Sequence, residues 1–314
     1  MSGKGLKMAI TRFSGDYLMK QNNVSSYLTR FFITALLMIL PTTVFAESPW
    51  NWLMSLKINR TGDSMYMPSS VAFDKDSARY YVVDTGRSRL VSFNQDGKFL
   101  KGFTANNQLK SPFDMVRLDN GQLWVVEKGR NSLTLIDVAA RKIEHKTLKD
   151  GDDLVFPARI NVAGDKLYVL DRASGQVLRL AADLSIEQRF GCPECMAGLT
   201  DFVVTEGTVV GLEAREKKIL RFRADGTISD EIKLGEKADF PVSLAVGPSG
   251  YLYVLDRHQN SVLVYDENGR FRYDFLGTGQ APGKVYFASQ LRFDPWNRLC
   301  VVDEGNGRVE IFSR

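Results

Sequence analysis

The stretch Pro241–Tyr265, PVSLAVGPSGYLYVLDRHQNSVLVY, decides the fold of this chain. It contains three short apolar runs, Leu244–Val246, Tyr251–Leu255 and Val262–Tyr265, which are separated by clusters of Gly, Pro, Asp and Asn. Short runs rich in β-branched and aromatic residues between such clusters predict strands that are joined by tight turns. The stretch is therefore predicted to be an antiparallel β-meander.

The acid that follows the second run recurs along the chain at a nearly constant interval. The spacings between its copies are 43, 44, 42, 43 and 47 residues. The six acids are Asp84, Glu127, Asp171, Glu213, Asp256 and Asp303. In every copy the residue before the acid is Val or Leu, and the residue six positions after it is Val, Leu or Ile. A period of about 40–50 residues is typical of a solenoid or a propeller.

Each unit offers strands and no helix, and most units show a fourth apolar run after the third. Four antiparallel strands per unit, repeated radially, form a β-propeller blade. The second strands are apolar on both faces, as in Tyr80–Val83, which is expected of strands that lie between neighbouring blades. The sequence thus predicts an all-β, six-bladed β-propeller with four-stranded antiparallel blades over residues 47–314. The repeats run approximately over 67–104, 110–150, 155–192, 197–236, 239–278 and 286–314.

The sixth repeat has too few residues to complete its own blade. Its third strand is predicted at Arg308–Ser313, and the sequence ends at Arg314. Upstream of the first repeat, Trp50–Ile58 is apolar and has no partner strand nearby in sequence. An unpaired strand edge favours aggregation. We therefore expect residues 50–58 to supply the outermost strand of the sixth blade, antiparallel to Arg308–Ser313.

Two loops resemble the NHL repeat, whose loop reads Asp-x-Gly-Asn-x-Arg-Val before an apolar strand. They are Asp303–Val309, DEGNGRV, and Asp84–Leu90, DTGRSRL, while Gly277–Lys284 resembles the glycine-rich connector of that family. From about Trp50 to Arg314 the chain is similar to NHL-repeat six-bladed propeller proteins of an exported bacterial type. The resemblance implies the fold and leaves the function open, because function resides in sites that are carried by a fold.

Residues 1–46 have the features of a signal peptide with a leader. Basic residues precede an apolar run, Phe31–Leu40, and Val44–Ala46 resembles a signal-peptidase site. The alternative is an uncleaved N-terminal anchor. The segment carries five Lys and Arg against one Asp, a net charge of +4, which equals the net charge of the whole chain. The remainder is therefore neutral, and we expect a periplasmic or secreted monomer that neither spans the membrane after cleavage nor binds nucleic acid.

The three cysteines are divided between a close pair and a single residue. Cys192 and Cys195 lie between the third and fourth repeats, whereas Cys300 lies in an apolar strand. In an oxidising compartment we expect the pair to form a local disulfide and Cys300 to be a buried thiol. A redox-active pair is the alternative reading.

Candidate binding residues follow from where a propeller places its strand ends. The position two after the repeat proline begins the inner strand and is predicted to line the channel mouth at the top of the propeller. It is occupied by Ser70, Asp114, Arg159, Asp201, Ser243 and Gln290. The loops after the second strands reach the same face with Arg87, Lys128, Arg130, Arg172, Arg215, Arg257 and His258. The alternative is that these side chains are solvated loop charges, and we expect the repeat acids to bind the turn that follows them.

Two classes of function fit this ring of polar residues. The first is a non-enzymatic scaffold, without a cofactor, that binds an envelope protein, a peptide or a glycan at the top face. The alternative is a metal-dependent lactonase, hydrolase or lyase similar to the SMP-30 group, which would hold a divalent cation such as Ca²⁺ at the channel mouth. Related lyases need several histidine ligands, whereas this chain has only His145 and His258. The metal content of the protein would discriminate between the two classes.

Overall fold

The computed structural model describes residues 48–60 and 62–314, and the predicted signal peptide, 1–46, lies outside these residues. The described part contains six four-stranded antiparallel sheets, which are the blades of a propeller. Its helical segments are 3₁₀ turns of three residues: Thr85–Arg87, Ala105–Asn107, Gly235–Lys237, Pro248–Gly250 and Glu304–Asn306. No helix within these residues is long and apolar enough to cross a membrane. The predicted fold class is confirmed.

In blades 1 to 5 the strands run from the inner to the outer edge in chain order. Blade 1 is Pro68–Asp74, Arg79–Asp84, Arg89–Asn94 and Phe99–Phe103; blade 2 is Pro112–Arg117, Leu123–Glu127, Ser132–Asp137 and Lys142–Lys146; blade 3 is Pro157–Ala163, Lys166–Asp171, Gln176–Leu180 and Ile186–Phe190. Blade 4 is Asp201–Thr205, Thr208–Glu213, Lys218–Phe222 and Ile228–Lys233; blade 5 is Pro241–Val246, Leu252–Asp256, Ser261–Tyr265 and Phe271–Leu276. A two-residue pair, Lys149–Asp150 with Asp153–Leu154, follows blade 2.

Blade 6 joins the two ends of the described chain. Its strands are Gln290–Phe293, Leu299–Asp303 and Arg308–Ser313, and its outermost strand is Asn51–Leu56. The register of this last pair is antiparallel, with Asn51 opposite Ser313 and Leu56 opposite Val309. The prediction that an upstream strand completes the sixth blade is thereby confirmed.

A buried carboxylate fastens the closing strand to its neighbour. Trp52 Nε1 and Ser55 Oγ both donate to Glu310 Oε2, at 2.6 and 2.7 Å. Arg308 Nε lies 2.8 Å from the other oxygen. Burial raises the pKa of Glu310, while the hydrogen bonds from Ser55 and Trp52 oppose this shift. The pairing of the chain ends therefore includes polar side chains as well as the backbone ladder.

The hydrophobic core lies between the blades and not in a single centre. Six clusters of buried apolar residues form, and each consists mainly of residues from two neighbouring blades. This explains why the second strands are apolar on both faces. Cys300 is a buried free thiol in the cluster between blades 6 and 1. Cys192 and Cys195 are joined by a disulfide, with their Cα atoms 5.3 Å apart.

The repeat acids fix the connector that leads into each inner strand. In five blades the carboxylate accepts a hydrogen bond from a backbone N–H of that connector, and in blade 4 it binds the following turn. The connector bonds are Tyr66 to Asp84, Lys110 to Glu127, Phe156 to Asp171, Phe240 to Asp256 and Tyr286 to Asp303. The sequence indicated the following turn as the partner, and Asp171, Glu213 and Asp256 do bind it. The connector is therefore the more general partner, which the repeat pattern did not reveal.

A glycine two residues after the acid allows the turn to approach this connector. The N–H groups of Gly86 and Gly305 donate to the carbonyls of Tyr66 and Tyr286, both at 2.9 Å. A Cβ atom at these glycines would lie 2.6 and 2.5 Å from the same carbonyl oxygens. The Asp-x-Gly pattern thus has a steric cause in the close packing of turn and connector.

We predict that deletion of residues 51–56 leaves blade 6 with an open edge. The expected results are a lower melting temperature by calorimetry and concentration-dependent association by light scattering, because an unpaired strand edge templates pairing with other chains. Trp52→Phe combined with Ser55→Ala is a milder test, since it removes both donors to Glu310 and keeps the strand.

The double variant should lose about 2 kcal/mol of unfolding free energy, because a hydrogen bond to a charged group contributes roughly 1.5–3 kcal/mol and Trp52 is partly exposed. Asn51→Ala, at an exposed position of the same strand, is the matched control. A deletion variant that melts and sediments like the full chain would contradict the closure described above.

Candidate functional site

The channel at the propeller axis is crossed by a ring of six side chains, one from the start of each inner strand. The ring consists of Ser70, Asp114, Arg159, Asp201, Ser243 and Gln290. None of these residues is more than 8% exposed. The sequence reading placed them at an open channel mouth, and this placement needs correction. They are buried below the end of the channel at which the inner strands begin, which we call the upper end.

Most ring members bind the next blade around the channel. At four of the six contacts between neighbouring blades, a ring side chain accepts a hydrogen bond from a backbone N–H of the next blade. The donor is the residue directly after the ring residue of that blade. These bonds are Val71 N to Gln290 Oε1 at 3.1 Å, Ile160 N to Asp114 Oδ2 at 3.1 Å, Leu244 N to Asp201 Oδ2 at 2.9 Å and Leu291 N to Ser243 Oγ at 3.0 Å. At the other two contacts Ser70 Oγ donates to Asp114, and Arg159 Nε lies 3.7 Å from Asp201 Oδ1. The ring therefore links all six blades.

Asp114 is the hub of this network. Its carboxylate accepts hydrogen bonds from Ser70 Oγ, Gln290 Nε2 and the N–H groups of Met115 and Ile160. Arg292 Nη2 also donates to both of its oxygens, at 3.1 and 3.3 Å. Because an ionised carboxylate has about four lone-pair sites, these donors fill its hydrogen-bonding capacity.

Asp201 is the second carboxylate of the ring. Its Oδ2 accepts from Ser243 Oγ and from the N–H of Leu244. Burial raises its pKa, and the nearby Arg159 acts in the opposite direction. Arg159 also donates to the carbonyl of Ser289, while its Nη1 has no hydrogen-bond partner among residues 48–60 and 62–314.

The ring does not fit the divalent cation of a lactonase-type site. Asp114 is saturated by donors, and the guanidinium groups of Arg292 and Arg159 lie against the two carboxylates that would have to hold the metal. Within the described part of the chain, no group of three or more His, Cys, Asp or Glu residues could hold a metal ion. Of the two histidines, His145 lies in the outermost strand of blade 2 and His258 in an exposed loop.

The basic residues predicted for the upper face divide into three groups. Arg87 and Arg130 bind nearby carbonyls: Arg87 Nε donates to Ser64 O at 2.7 Å, and Arg130 Nη2 donates to Gln108 O at 2.8 Å. Arg130 also pairs with Glu127. These two arginines therefore support the connectors and do not project freely.

Arg257 and His258 form the second group. Each contacts an aromatic ring that precedes the inner strand of blade 5 or blade 6. Arg257 pairs with Glu304 at 3.0 Å and lies 5.4 Å from the ring centre of Phe287. His258 stacks on Phe240 with ring centres 4.6 Å apart, and its Nδ1 lies 3.1 Å from Asp239.

Lys128, Arg172 and Arg215 form the third group. None of them makes a salt bridge with any carboxylate among residues 48–60 and 62–314, and Arg172 and Arg215 are exposed. The Lys128 ammonium lies 3.0 Å from the ring centre of Phe113, whose other contact is the Arg159 guanidinium at 4.9 Å. Burial, together with the nearby charges of Arg159 and Arg172, lowers the pKa of Lys128 to about 8.

Exposed apolar side chains also lie on the upper face. We call Tyr66, Met67, Phe240, Tyr286 and Phe287 the apolar patch; they precede the inner strands of blades 1, 5 and 6, and Tyr66 is 60% exposed. Tyr66, Met67 and Phe287 line a cavity of about 470 Å³ together with Arg257 and Glu304. The upper face therefore combines an exposed apolar surface with unpaired cations.

Sequence reasoning missed several residues of this region. Glu304 directly follows a repeat acid, so the sequence pattern placed it in the loop after a second strand. The pattern did not reveal its pairing with Arg257, which lies 47 residues away. The apolar patch precedes the repeat prolines or their equivalents, where apolar residues were not expected to be exposed. Arg292 lies two residues after the ring in its inner strand, and its partner Asp114 is 178 residues away, so no sequence signal indicated this contact.

Solved structures that resemble this chain include two lyases and a gluconolactonase. A streptogramin B lyase matches with a TM-score of 0.64 and 12% identity over 84% of this chain and 97% of the other. A virginiamycin B lyase from Staphylococcus aureus, solved with quinupristin, matches with a TM-score of 0.60 and 16% identity over 84% and 88%. A gluconolactonase from Xanthomonas campestris matches with a TM-score of 0.63 and 17% identity over 79% and 86%. At these identities the likeness supports the propeller fold alone.

No protein-family model matches the chain, and a search of curated proteins gives no match either. The resemblance to NHL repeats therefore remains an interpretation of the loop sequences quoted above.

We predict that Lys128 titrates near pH 8 because of its burial and the neighbouring guanidinium groups. An ordinary lysine titrates near pH ~10.4. Acylation by acetic anhydride, followed across pH by mass spectrometry, should therefore show a midpoint near pH 8 for Lys128. Since the folded state disfavours the charged form, the contribution of this group to stability should increase as the pH rises through about 8.

Arg172→Ala should raise the midpoint of Lys128, because it removes one neighbouring positive charge. Arg270→Ala is the control. Arg270 is exposed in the turn between the third and fourth strands of blade 5, so its replacement should leave the midpoint of Lys128 unchanged. An unshifted midpoint near 10 in the native chain would contradict the environment described for Lys128.

Proposed function

We propose that this protein is an exported, non-enzymatic binding scaffold whose upper face holds a protein or peptide that carries apolar side chains and negative charge. The observation that carries the proposal is the exposed apolar patch on the face that also carries Lys128 and Arg172, which make no salt bridge among the described residues. Contiguous exposed apolar surface on a folded domain indicates an interaction site, and charges around it give specificity. A glycan with acidic groups, stacked on the aromatic residues, is the other form of ligand that this surface could accept.

Two features support placing the scaffold in the cell envelope or outside the cell. The disulfide between Cys192 and Cys195 is of the kind that persists in oxidising compartments. The sequence before residue 47 has the pattern of a signal peptide. Its partner is thus proposed to be an envelope protein, a peptide or a glycan.

The alternative is an enzyme similar to the lyases and the lactonase that share the fold. Those similarities favour it, whereas the saturation of Asp114 and the guanidinium groups beside both ring carboxylates disfavour a metal at the channel. Assays of gluconolactone hydrolysis and of linearisation of a streptogramin B antibiotic, with and without added divalent cations, separate the two functions. Cation-dependent turnover would favour the enzyme.

We predict that the triple variant Lys128→Ala, Arg172→Ala, Arg257→Ala loses capture of its partner from a cell-envelope extract. Loss of these charges should weaken binding at least tenfold, since charged groups around an apolar site contribute to attraction and register. Capture is measured by cross-linking and mass spectrometry with the full chain as bait.

The matched control is Lys98→Ala, Lys142→Ala, Arg270→Ala, which removes three exposed charges. Lys98 and Arg270 lie in turns between third and fourth strands, and Lys142 is the first residue of the fourth strand of blade 2. This control should capture the same partner as the unchanged chain. Equal loss of capture in both triple variants would indicate that net charge, and not a specific site, determines binding. Capture that persists in the Lys128, Arg172, Arg257 variant would refute the upper face as the binding surface.

A further inference from the structure

The channel contains a second cavity below the ring, at the end opposite the upper face. It has a volume of about 520 Å³ and extends from the ring residues Asp114 and Gln290 to Asp76, Asp119 and Pro295, which lie beyond the inner strands. Small-molecule sites in proteins have volumes of roughly 300–1,000 Å³. The cavity is therefore of ligand size, and it shares no residue with the apolar patch.

Part of the wall of this cavity is a band of apolar side chains, and the rest of the lining is polar or charged. Five of the six residues that lie three positions after the ring are apolar, half-buried and part of the lining. They are Phe73, Val162, Val204, Val246 and Phe293. The sixth is Arg117, whose Nε pairs with Asp74 at 3.1 Å. An apolar chain in the cavity would therefore contact this band of aliphatic and aromatic side chains.

Several donors at the inner end of the cavity, where it meets the ring, have no acceptor among the described residues. The Arg292 side chain is 19% exposed, and its Nη2 bonds to Asp114 and to the carbonyl of Ile160. Its Nε and Nη1 have no acceptor among residues 48–60 and 62–314. The next residue after Ile160 is Asn161, which lines the cavity and whose Oδ1 accepts the N–H of Val162. The amide nitrogen of Asn161 has no acceptor among the same residues.

The unused donors are close together, because the Arg292 guanidinium binds the carbonyl of the residue that precedes Asn161. Asp114 cannot satisfy the remaining donors, since its oxygens are already filled by ring partners. At the outer end of the cavity, away from the ring, the charges have both signs. Lys75, Asp76 and Asp119 lie there, after the inner strands of blades 1 and 2. The inner end carries the guanidinium groups of Arg159 and Arg292 beside the carboxylates of Asp201 and Asp114. The donors that have no acceptor there among the described residues are those of Arg292 and Asn161 and the buried Nη1 of Arg159.

We propose that the lower cavity binds a small monocarboxylate with an apolar body. Its carboxylate accepts hydrogen bonds from Arg292 and Asn161, and its apolar chain lies along the band of valine and phenylalanine side chains. Arginine and amide donors match the geometry of a carboxylate, and such hydrogen bonds are strengthened by the ionic charge. The site is independent of the proposed function, because it lies at the other end of the channel.

The test is calorimetric titration of the full chain with three probes of equal chain length: sodium octanoate, octan-1-ol and octylammonium chloride. Octanoate should bind with one site per chain and at least tenfold more tightly than octan-1-ol, since a hydrogen bond to a charged group is worth a factor of about ten or more. Octylammonium should bind more weakly than either. Absence of octanoate binding, or equal binding of the acid and the alcohol, would overturn the proposal.

Two variants locate the site. Arg292→Gln retains a donor for Asp114 and removes the charge, so octanoate affinity should fall at least tenfold while octan-1-ol binding is unchanged. Val204→Phe fills the cavity with a residue type already present at the equivalent position of blades 1 and 6, so binding of every probe should be lost. Arg270→Gln is the matched control for the loss of charge.

Thermal melting shows whether each variant is folded. If Arg292→Gln does not fold, Val204→Phe decides the question alone. Octanoate binding that survives in folded Val204→Phe would overturn the proposal, because the ligand would then lie outside the cavity. Loss of octanoate binding together with retained capture of the envelope partner is the expected result for two separate sites.

Discussion

The propeller depends on the hydrogen bonds that four ring side chains accept from the inner strand of the next blade. An inner strand has no neighbouring strand on the side of the channel, so its backbone groups there lack ladder partners. Gln290, Asp114, Asp201 and Ser243 supply acceptors for these N–H groups in buried surroundings. A buried N–H without a partner is costly, so each of these bonds fixes the relation between two blades.

This use of the ring determines where binding can occur. The ring carboxylates are occupied by backbone, hydroxyl and guanidinium donors, and their side chains have little exposed surface. The ring separates the upper face, with its apolar patch and unpaired cations, from the lower cavity, with its band of apolar side chains and Arg292. Each end therefore presents its own surface to a ligand, and the buried carboxylates between them hold the blades together.

The repeat pattern predicted the blades, their number and the closure by the upstream strand, because strand order in a propeller follows chain order. It also predicted which residues form the ring, including Asp201 and Gln290, whose copies lack the repeat proline. It did not reveal what the ring does, since Asp114 finds partners 44 to 178 residues away in Ser70, Ile160, Gln290 and Arg292. A sequence period gives equivalent positions, whereas the depth of a side chain and its partners depend on how the blades pack.

The structural role of the ring is tested most directly by urea unfolding of Asp114→Ala. This variant leaves the Arg292 guanidinium and several buried donors without their acceptor, so the free energy of unfolding should fall by about 3–5 kcal/mol, as when one partner of a buried ion pair is removed. Asp274→Ala, at an exposed position in the outermost strand of blade 5, should change it by less than ~0.5 kcal/mol. If Asp114→Ala were as stable as this control, the ring would not hold the blades together. If the same variant also failed to capture the envelope partner, Asp114 would belong to a binding surface.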